Sequence, residues 1–332
     1  MDKVLVTRRI PEPGLEILRA HCEVEVFPHD RNMTREELLE AVQGKDGLLS
    51  LLTDRIDTEL FDSAPTLRAV ANCAVGFNNI DLAAATARGI PVTNTPGVLT
   101  DTTADLTWAL LMSVARRIAE ADRFTRAGKF DGWGPLLMLG GDIYAKTLGI
   151  VGMGRIGQAV AKRATGFDMR ILYSDDFELD SSAAQSLHAM RTDFETLLRQ
   201  SDFVTLHVPL TDQTEHLIGE KEFHLMKSTA YLINTSRGPV VDEKALVKAL
   251  QERRIAGAGL DVFEHEPHIE PELLEMENVV LLPHIGSASF ETRARMAIMA
   301  AENLIAALQG KVPPNCVNPE VFSKRQGMEQ NR

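Results

Sequence analysis

Short apolar runs alternate with amphipathic stretches through the first hundred residues. Lys3-Val4-Leu5-Val6-Thr7, Val24-Glu25-Val26-Phe27, Gly47 to Leu52 and Leu67 to Cys73 read as strands, with helices expected near Pro11 to Ala20 and from Thr34. Strand, helix, strand, helix predicts a parallel sheet covered by helices. Asn94-Thr95-Pro96-Gly97 breaks the rhythm, and from Asp101 one long helix is expected to run to Gly128 and lead into a second domain. Beyond a polar, glycine-rich loop from Phe130 to Asp142, six apolar runs follow: Thr147 to Val151, Arg170 to Ser174, Asp202 to Val208, Ala230 to Ser236, Gly257 to Phe263 and Asn278 to Pro283. They predict six strands of a doubly wound sheet. A last helix, Ser289 to Gln309, is rich in alanine and methionine and is expected to pass back to the first domain, making that domain discontinuous. The tail beyond Pro319 is polar, and disorder is expected at its end.

At 332 residues the chain exceeds what one hydrophobic core usually fills, which favours two domains. Hydrophobic residues make up 44% and charged residues 25%, the balance of an ordinary globular protein, and no apolar run has the length of a membrane span. The first residues enter a strand directly, without the features of a signal peptide, so a cytoplasmic location is expected. Three cysteines, Cys22, Cys73 and Cys316, are odd in number and far apart, which suggests free thiols rather than disulfides or a zinc site. A net charge of -12 argues against nucleic acid as a partner, and nothing suggests a membrane. An anionic substrate would then need a dedicated local cation.

Gly152-Met153-Gly154-Arg155-Ile156-Gly157 places a GxGxxG pattern directly after a buried strand and before a helix. In that context Gly152 permits the tight turn, Gly154 lets backbone approach a pyrophosphate, and Gly157 lets helix pack on strand. The diphosphate would sit at the helix N-terminus, where unpaired N–H groups favour negative charge. The next strand ends at Ser174-Asp175, where an acid can accept hydrogen bonds from the adenosine ribose. Asp176 and Glu178 crowd the same turn, and a 2′-phosphate placed among these acids without a nearby arginine would be repelled. The expected cofactor is NAD(H), preferred over NADP(H).

Three further segments follow strands: Asn234-Thr235-Ser236-Arg237, Asp261 to Pro267 and Pro283-His284-Ile285-Gly286. Residues just beyond strand ends line the ligand crevice of an open α/β sheet. Reduction of a 2-oxo acid needs a cation to hold the carboxylate and polarise the carbonyl, and a proton donor for the developing alkoxide. Arg237 suits the first task through its planar fork, and His284 suits the second. Glu266 would hydrogen-bond His284, fixing its tautomer and favouring the protonated ring. Singly each residue is ambiguous; the three together are not.

These segments closely resemble the D-isomer-specific 2-hydroxyacid dehydrogenase family. The resemblance lies in VGMGRIGQAVAKRA, NTSRGPVVDEKALVKAL, GLDVFEHEP and LLPHIGSAS, in the family's order, and extends from about Lys3 to Pro319. Within it the chain is most similar to glyoxylate/hydroxypyruvate reductases and 2-ketogluconate reductases. The resemblance implies an α/β fold of two Rossmann-like, doubly wound parallel-sheet domains. Residues 1–99 and 288–332 would form a discontinuous substrate-binding domain around an NAD-binding domain at 100–287, in a homodimer with the active site between domains. It implies the same roles for Arg237, Glu266 and His284, and carboxylate-binding backbone amides at Val75 and Gly76. It also implies cofactor contacts from Thr103, His207, Val208, Pro209, Thr235, Ser236, Asp261 and Gly286. Many close relatives carry basic residues after the second cofactor-domain strand and use NADPH, whereas this chain reads Ser174-Asp175-Asp176. In some relatives a bulky aromatic from the loop spanning 130–141 reaches a partner's pocket; Leu137 stands there in this chain.

His265, Glu266 and His268 lack the spacing of a zinc motif, so no metal is expected. Arg116, Arg117, Arg123 and Arg126 are expected on a solvated or interface face of their helix. 2-Ketogluconate reduction is the same-fold alternative, and phosphite oxidation is disfavoured because the Ala74-Val75-Gly76 loop lacks a lysine. A nucleotide-sensing protein resembling the family's corepressors is the alternative from another class.

Overall fold

The structure is a computed structural model that describes residues 1–322. The expectation for the end of the tail therefore lies outside the described residues. The chain divides into two compact units, residues 1–99 with 288 onward, and residues 100–287.

The first unit is built on β1 (Lys3–Val6), β2 (Glu23–Val26), β3 (Gly47–Ser50), β4 (Ala69–Asn72) and β5 (Val92–Thr93). All five pair in parallel in the order β2-β1-β3-β4-β5, with Val4 opposite both Val24 and Gly47. β3 and β4 are buried on both faces, as central parallel strands must be, while β2 alternates between exposed and half-buried at the edge. The two-residue β5 went unread in the sequence because it merges into the Asn94-Thr95-Pro96-Gly97 turn. The helix Phe290–Leu308 packs on this sheet, with Leu304 and Leu308 lying over Gly47. It also meets the helix Glu12–His21 at Gly14, where a Cβ would come within 2.7 Å of Ala297, so glycine sets the closeness of this helix pair.

The second unit carries β6 (Thr147–Val151), β7 (Arg170–Ser174), β8 (Ala189–Arg191), β9 (Phe203–Leu206), β10 (Tyr231–Asn234), β11 (Gly257–Leu260) and β12 (Val279–Leu281). They form one parallel sheet in the order β12-β11-β10-β9-β6-β7-β8. The sheet has seven strands rather than the expected six. β8 is the addition: three residues, one half-buried and two exposed, at the sheet edge, too short and polar to show as an apolar run. Strand order reverses between β6 and β9, which places the ligand crevice of this unit beyond their carboxyl ends.

The single helix expected from Asp101 to Gly128 is two helices, Thr100–Ala115 and Ile118–Arg126. Arg117 adopts φ 54°, and a left-handed residue cannot continue an α-helix. One local and one tertiary bond hold the break: the Arg117 guanidinium grips Glu120 at 2.6 Å, and the Gly141 N–H donates to the Ala115 carbonyl at 2.8 Å. The first of these helices is largely buried, with Leu110 against Gly259 of β11 and Trp108 donating to the Val160 carbonyl. Of the arginines expected on a solvated face, Arg117 and Arg126 are ion-paired within their own helical turns, to Glu120 and Asp122. Among the described residues no helix is long and apolar enough to cross a membrane.

Candidate active site

The glycine loop follows β6 at the reversal of strand order. Gly152 adopts φ 91°, and a Cβ there would come within 2.7 Å of the His207 backbone just beyond β9, so only glycine fits. Gly157 faces the Gly152 carbonyl with no room for a side chain, which lets the helix Arg155–Ala164 start directly against the strand. Gly154 has open space where a Cβ would stand, and as the N-cap it leaves the first helical N–H groups without a side-chain partner. A bare backbone, an uncapped helix start and a cleared turn suit a diphosphate. Arg155 and Ile156 occupy the first turn; Val208 and Pro209 continue the segment after His207. Burial pushes the His207 imidazole down to about 3, so it stays neutral beside the Thr205 hydroxyl at 2.8 Å.

Asp175 stands at the end of β7, after Ser174. Its Oδ2 accepts the Met153 N–H of the glycine loop at 2.6 Å, and its Oδ1 accepts the Phe177 N–H at 2.9 Å. The carboxylate thus ties the acidic turn to the glycine loop. The picture of this turn as lacking an arginine needs correction. Arg191, from the unforeseen β8, donates to the Asp175 carbonyl at 2.8 Å and approaches Glu178 at 3.7 Å.

Arg237, Glu266 and His284 follow β10, β11 and β12, which are neighbours in the sheet. Backbone bonds stitch the three loops together: the Asp261 N–H to the Asn234 carbonyl, and the His284 N–H to the Asp261 carbonyl, both at 2.9 Å. Asn234 folds its own turn, accepting the Ser236 N–H and donating to the Arg237 carbonyl. The Arg237 guanidinium, anchored on the Ser236 carbonyl at 2.7 Å, is half-buried. Burial lowers its pKa against the opposing influence of Glu266, and a guanidinium starts so high that it keeps its charge.

His284 Nδ1 lies 3.0 Å from Glu266 Oε2, with the side chains 25% and 31% exposed, so both remain reachable from solvent. Burial raises the Glu266 carboxyl, but the His284 hydrogen bond, the Phe263 N–H and the Arg237 charge outweigh it and hold Glu266 below the usual value. Glu266 is therefore a carboxylate at neutral pH. His284 itself has φ 54°, a left-handed conformation that histidine tolerates better than most residues.

Beside them lies a second group. Asp261, 1% exposed, accepts the Ile285 N–H at 2.7 Å, and burial raises its pKa against that bond. A Cβ on Gly286 would meet Asp261 at 3.2 Å and Thr103 at 3.6 Å. Thr107 links Thr235, at 2.8 Å between hydroxyls, to the Thr103 carbonyl. Thr103, Thr235, Asp261 and Gly286 thus share one cluster.

Val75 and Gly76 belong to the first unit, in the loop after β4. The Ala74 carbonyl accepts the Thr95 N–H at 2.9 Å, and the Val75 carbonyl accepts the Asn94 amide at 2.7 Å. In a trans peptide the next N–H points opposite the carbonyl, so the Val75 and Gly76 amides face away from Asn94 and Thr95. Asn72 holds the Gly76 carbonyl at 2.9 Å and Asn79 at 3.1 Å. These asparagines, like Asn234, were not singled out from sequence. A polar amide at the end of an otherwise apolar strand was the available signal.

Residues 108–286 match the family model described as D-isomer specific 2-hydroxyacid dehydrogenase, NAD binding domain. Over 323 residues the chain is 56% identical to a glyoxylate reductase of Thermococcus gammatolerans, covering 96% of each chain. A solved structure from Thermus thermophilus superposes with a TM-score of 0.89 at 46% identity, covering 95% of this chain and 99% of that one. An NADPH-dependent glyoxylate/hydroxypyruvate reductase of Sinorhizobium meliloti, solved with NADP and malonate, gives 0.85 at 33% identity, covering 97% and 98%.

Proposed function

The chain belongs to the D-isomer-specific 2-hydroxyacid dehydrogenase family, and on that premise we propose that it reduces glyoxylate or hydroxypyruvate to the 2-hydroxy acid with NADH. The observation that carries this reading is the His284–Glu266 pair at 3.0 Å beside the half-buried Arg237. A bound nicotinamide supplies the hydride. Arg237 holds the substrate carboxylate and polarises the 2-oxo group, its charge acting more strongly for being partly withdrawn from water. With Nδ1 of His284 engaged by Glu266, Nε2 is left to give the alkoxide its proton. The Glu266 carboxylate keeps the ring in the tautomer and orientation that this transfer needs. Val75 and Gly76 offer their outward amides to a carboxylate. Thr103, Thr235, Ser236, Asp261 and Gly286 bind the nicotinamide side, while Ser174, Asp175, His207, Val208 and Pro209 serve the adenosine side.

The acids at Asp175, Asp176 and Glu178 support NADH over NADPH, although Arg191 offsets part of their field. Following NADH absorbance with glyoxylate, hydroxypyruvate and 2-ketogluconate tests the whole reading. Glyoxylate or hydroxypyruvate is expected to have the highest kcat/KM, with NADPH the poorer reductant. Tight NADH binding without oxidation by any acid would leave a sensing role instead, and equal use of both cofactors would end the assigned preference.

We also propose a homodimer. Phe130, Trp133, Leu136, Leu139 and Tyr144 are each more than half exposed along one segment of the second unit, an apolar surface that a lone chain seldom leaves in water. Sedimentation should give twice the mass of the chain, and Trp133→Ser should weaken that association. A monomer at micromolar concentration would refute the assignment.

A further inference from the structure

The loop bearing Glu266 is pinned on both sides by one carboxylate outside the catalytic group. Glu243 is 4% exposed; its Oε1 accepts the Glu264 N–H at 2.8 Å, and its Oε2 accepts the Glu270 N–H at 3.4 Å. Glu266 lies between these two points. The Glu264 carboxylate reaches the opposite way: Oε2 accepts the Glu243 N–H at 3.0 Å, and Oε1 lies 2.7 Å from His216 Nε2. Glu243 begins the helix Glu243–Gln251, so its N–H has no acceptor within the helix, and the Glu264 anion stands at the positive end of the helix dipole. Two loops far apart in sequence therefore exchange amide and carboxylate in both directions.

The same assembly touches the turn that carries Arg237. Gly238 lies so close to Phe263 that a Cβ would overlap the Phe263 carbonyl, which leaves the two loops in backbone contact. The His216 N–H takes the Pro239 carbonyl at 2.7 Å, tying the segment around His216 to that turn as well. Burial pushes the Glu243 carboxyl up and its amide donors pull it back, while the hydrogen bond to Glu264 raises His216. A cationic His216 would balance part of the charge of the two acids.

We propose that Glu243, Glu264 and His216 are positioning residues that set Glu266 relative to Arg237. The proposal rests on the catalytic assignment of Arg237, Glu266 and His284. These three clamp residues act through the backbone of the two loops. Displacement of a catalytic group by even 1 Å can cost about 100-fold in rate, so loosening the clamp should appear in kcat rather than in cofactor binding.

Glu243→Gln keeps the size of the side chain but turns an NH2 group toward one of the two N–H donors. Its kcat should fall by about 10- to 100-fold with NADH affinity unchanged in fluorescence titration. Glu264→Gln should behave alike, and it carries the comparison if the first variant does not fold. Asp202→Asn supplies the control, because Asp202 anchors the Thr147 N–H and Lys227 at the start of β9. It should lower Tm without changing kcat per folded molecule. In a Glu266→Gln background, Glu243→Gln should add little, since residues acting through one group are not additive. Normal kcat in both single variants, or full additivity with Glu266→Gln, overturns the clamp. Wild-type turnover in Glu266→Gln alone would instead overturn the catalytic assignment beneath it.

Discussion

His284→Ala should lower kcat for 2-oxo acid reduction by about 10²- to 10⁴-fold, the contribution expected of a positioned proton donor. NADH binding should persist, because the glycine loop and Asp175 hold themselves in place through bonds that do not involve His284. The left-handed backbone at position 284 complicates the alanine variant, since alanine tolerates that conformation less well than histidine. His284→Asn separates the effects: asparagine tolerates that conformation but has no titrating nitrogen. Both variants should lose turnover, and alanine should lose more thermal stability than asparagine. Wild-type turnover in either one would remove His284 from the proton-donor role.

The variant also alters the response to acid. Burial raises Glu266, and the His284 hydrogen bond leads the interactions that bring it below the usual carboxylate value. A depressed folded-state pKa contributes stability that is present above the unfolded value and lost as pH falls through the folded one. Without His284 the depression shrinks, and so should the acid-side loss of stability through this group. Melting curves carried from neutral pH down through and below the ordinary carboxylate value of 4.5 would register that change.

Arg237→Ala should cut kcat/KM by about 10³-fold, through a higher KM for the acid and a lower kcat together. The guanidinium is assigned both the carboxylate, which is bound throughout, and the oxygen that gains charge only as the reaction proceeds. Arg237→Lys should recover a small part of the loss, because a lysine presents one point charge where a planar fork meets two oxygens. NADH affinity serves as the internal reference and should move little. A kcat/KM unchanged in Arg237→Ala would exclude it from substrate binding.

The sequence by itself determined the two parallel-sheet units and the grouping of the chemical residues. Doubly buried strands leave apolar runs, and residues following adjacent strand ends must collect at one edge of the sheet. Arg237, Glu266, His284 and the glycine loop were legible for that reason. What depended on tertiary contacts was not. The helix break at Arg117 needs Gly141, the edge strand β8 needs β7 to pair with, and Arg191 enters the acidic turn only because β8 brings it there. The same holds for Asn72 and Asn94 beneath the Val75 loop and for the exchange between Glu243 and Glu264. A short polar residue carries no periodic signal, and its role is defined by which backbone group stands opposite it. Only the folded chain chooses that group.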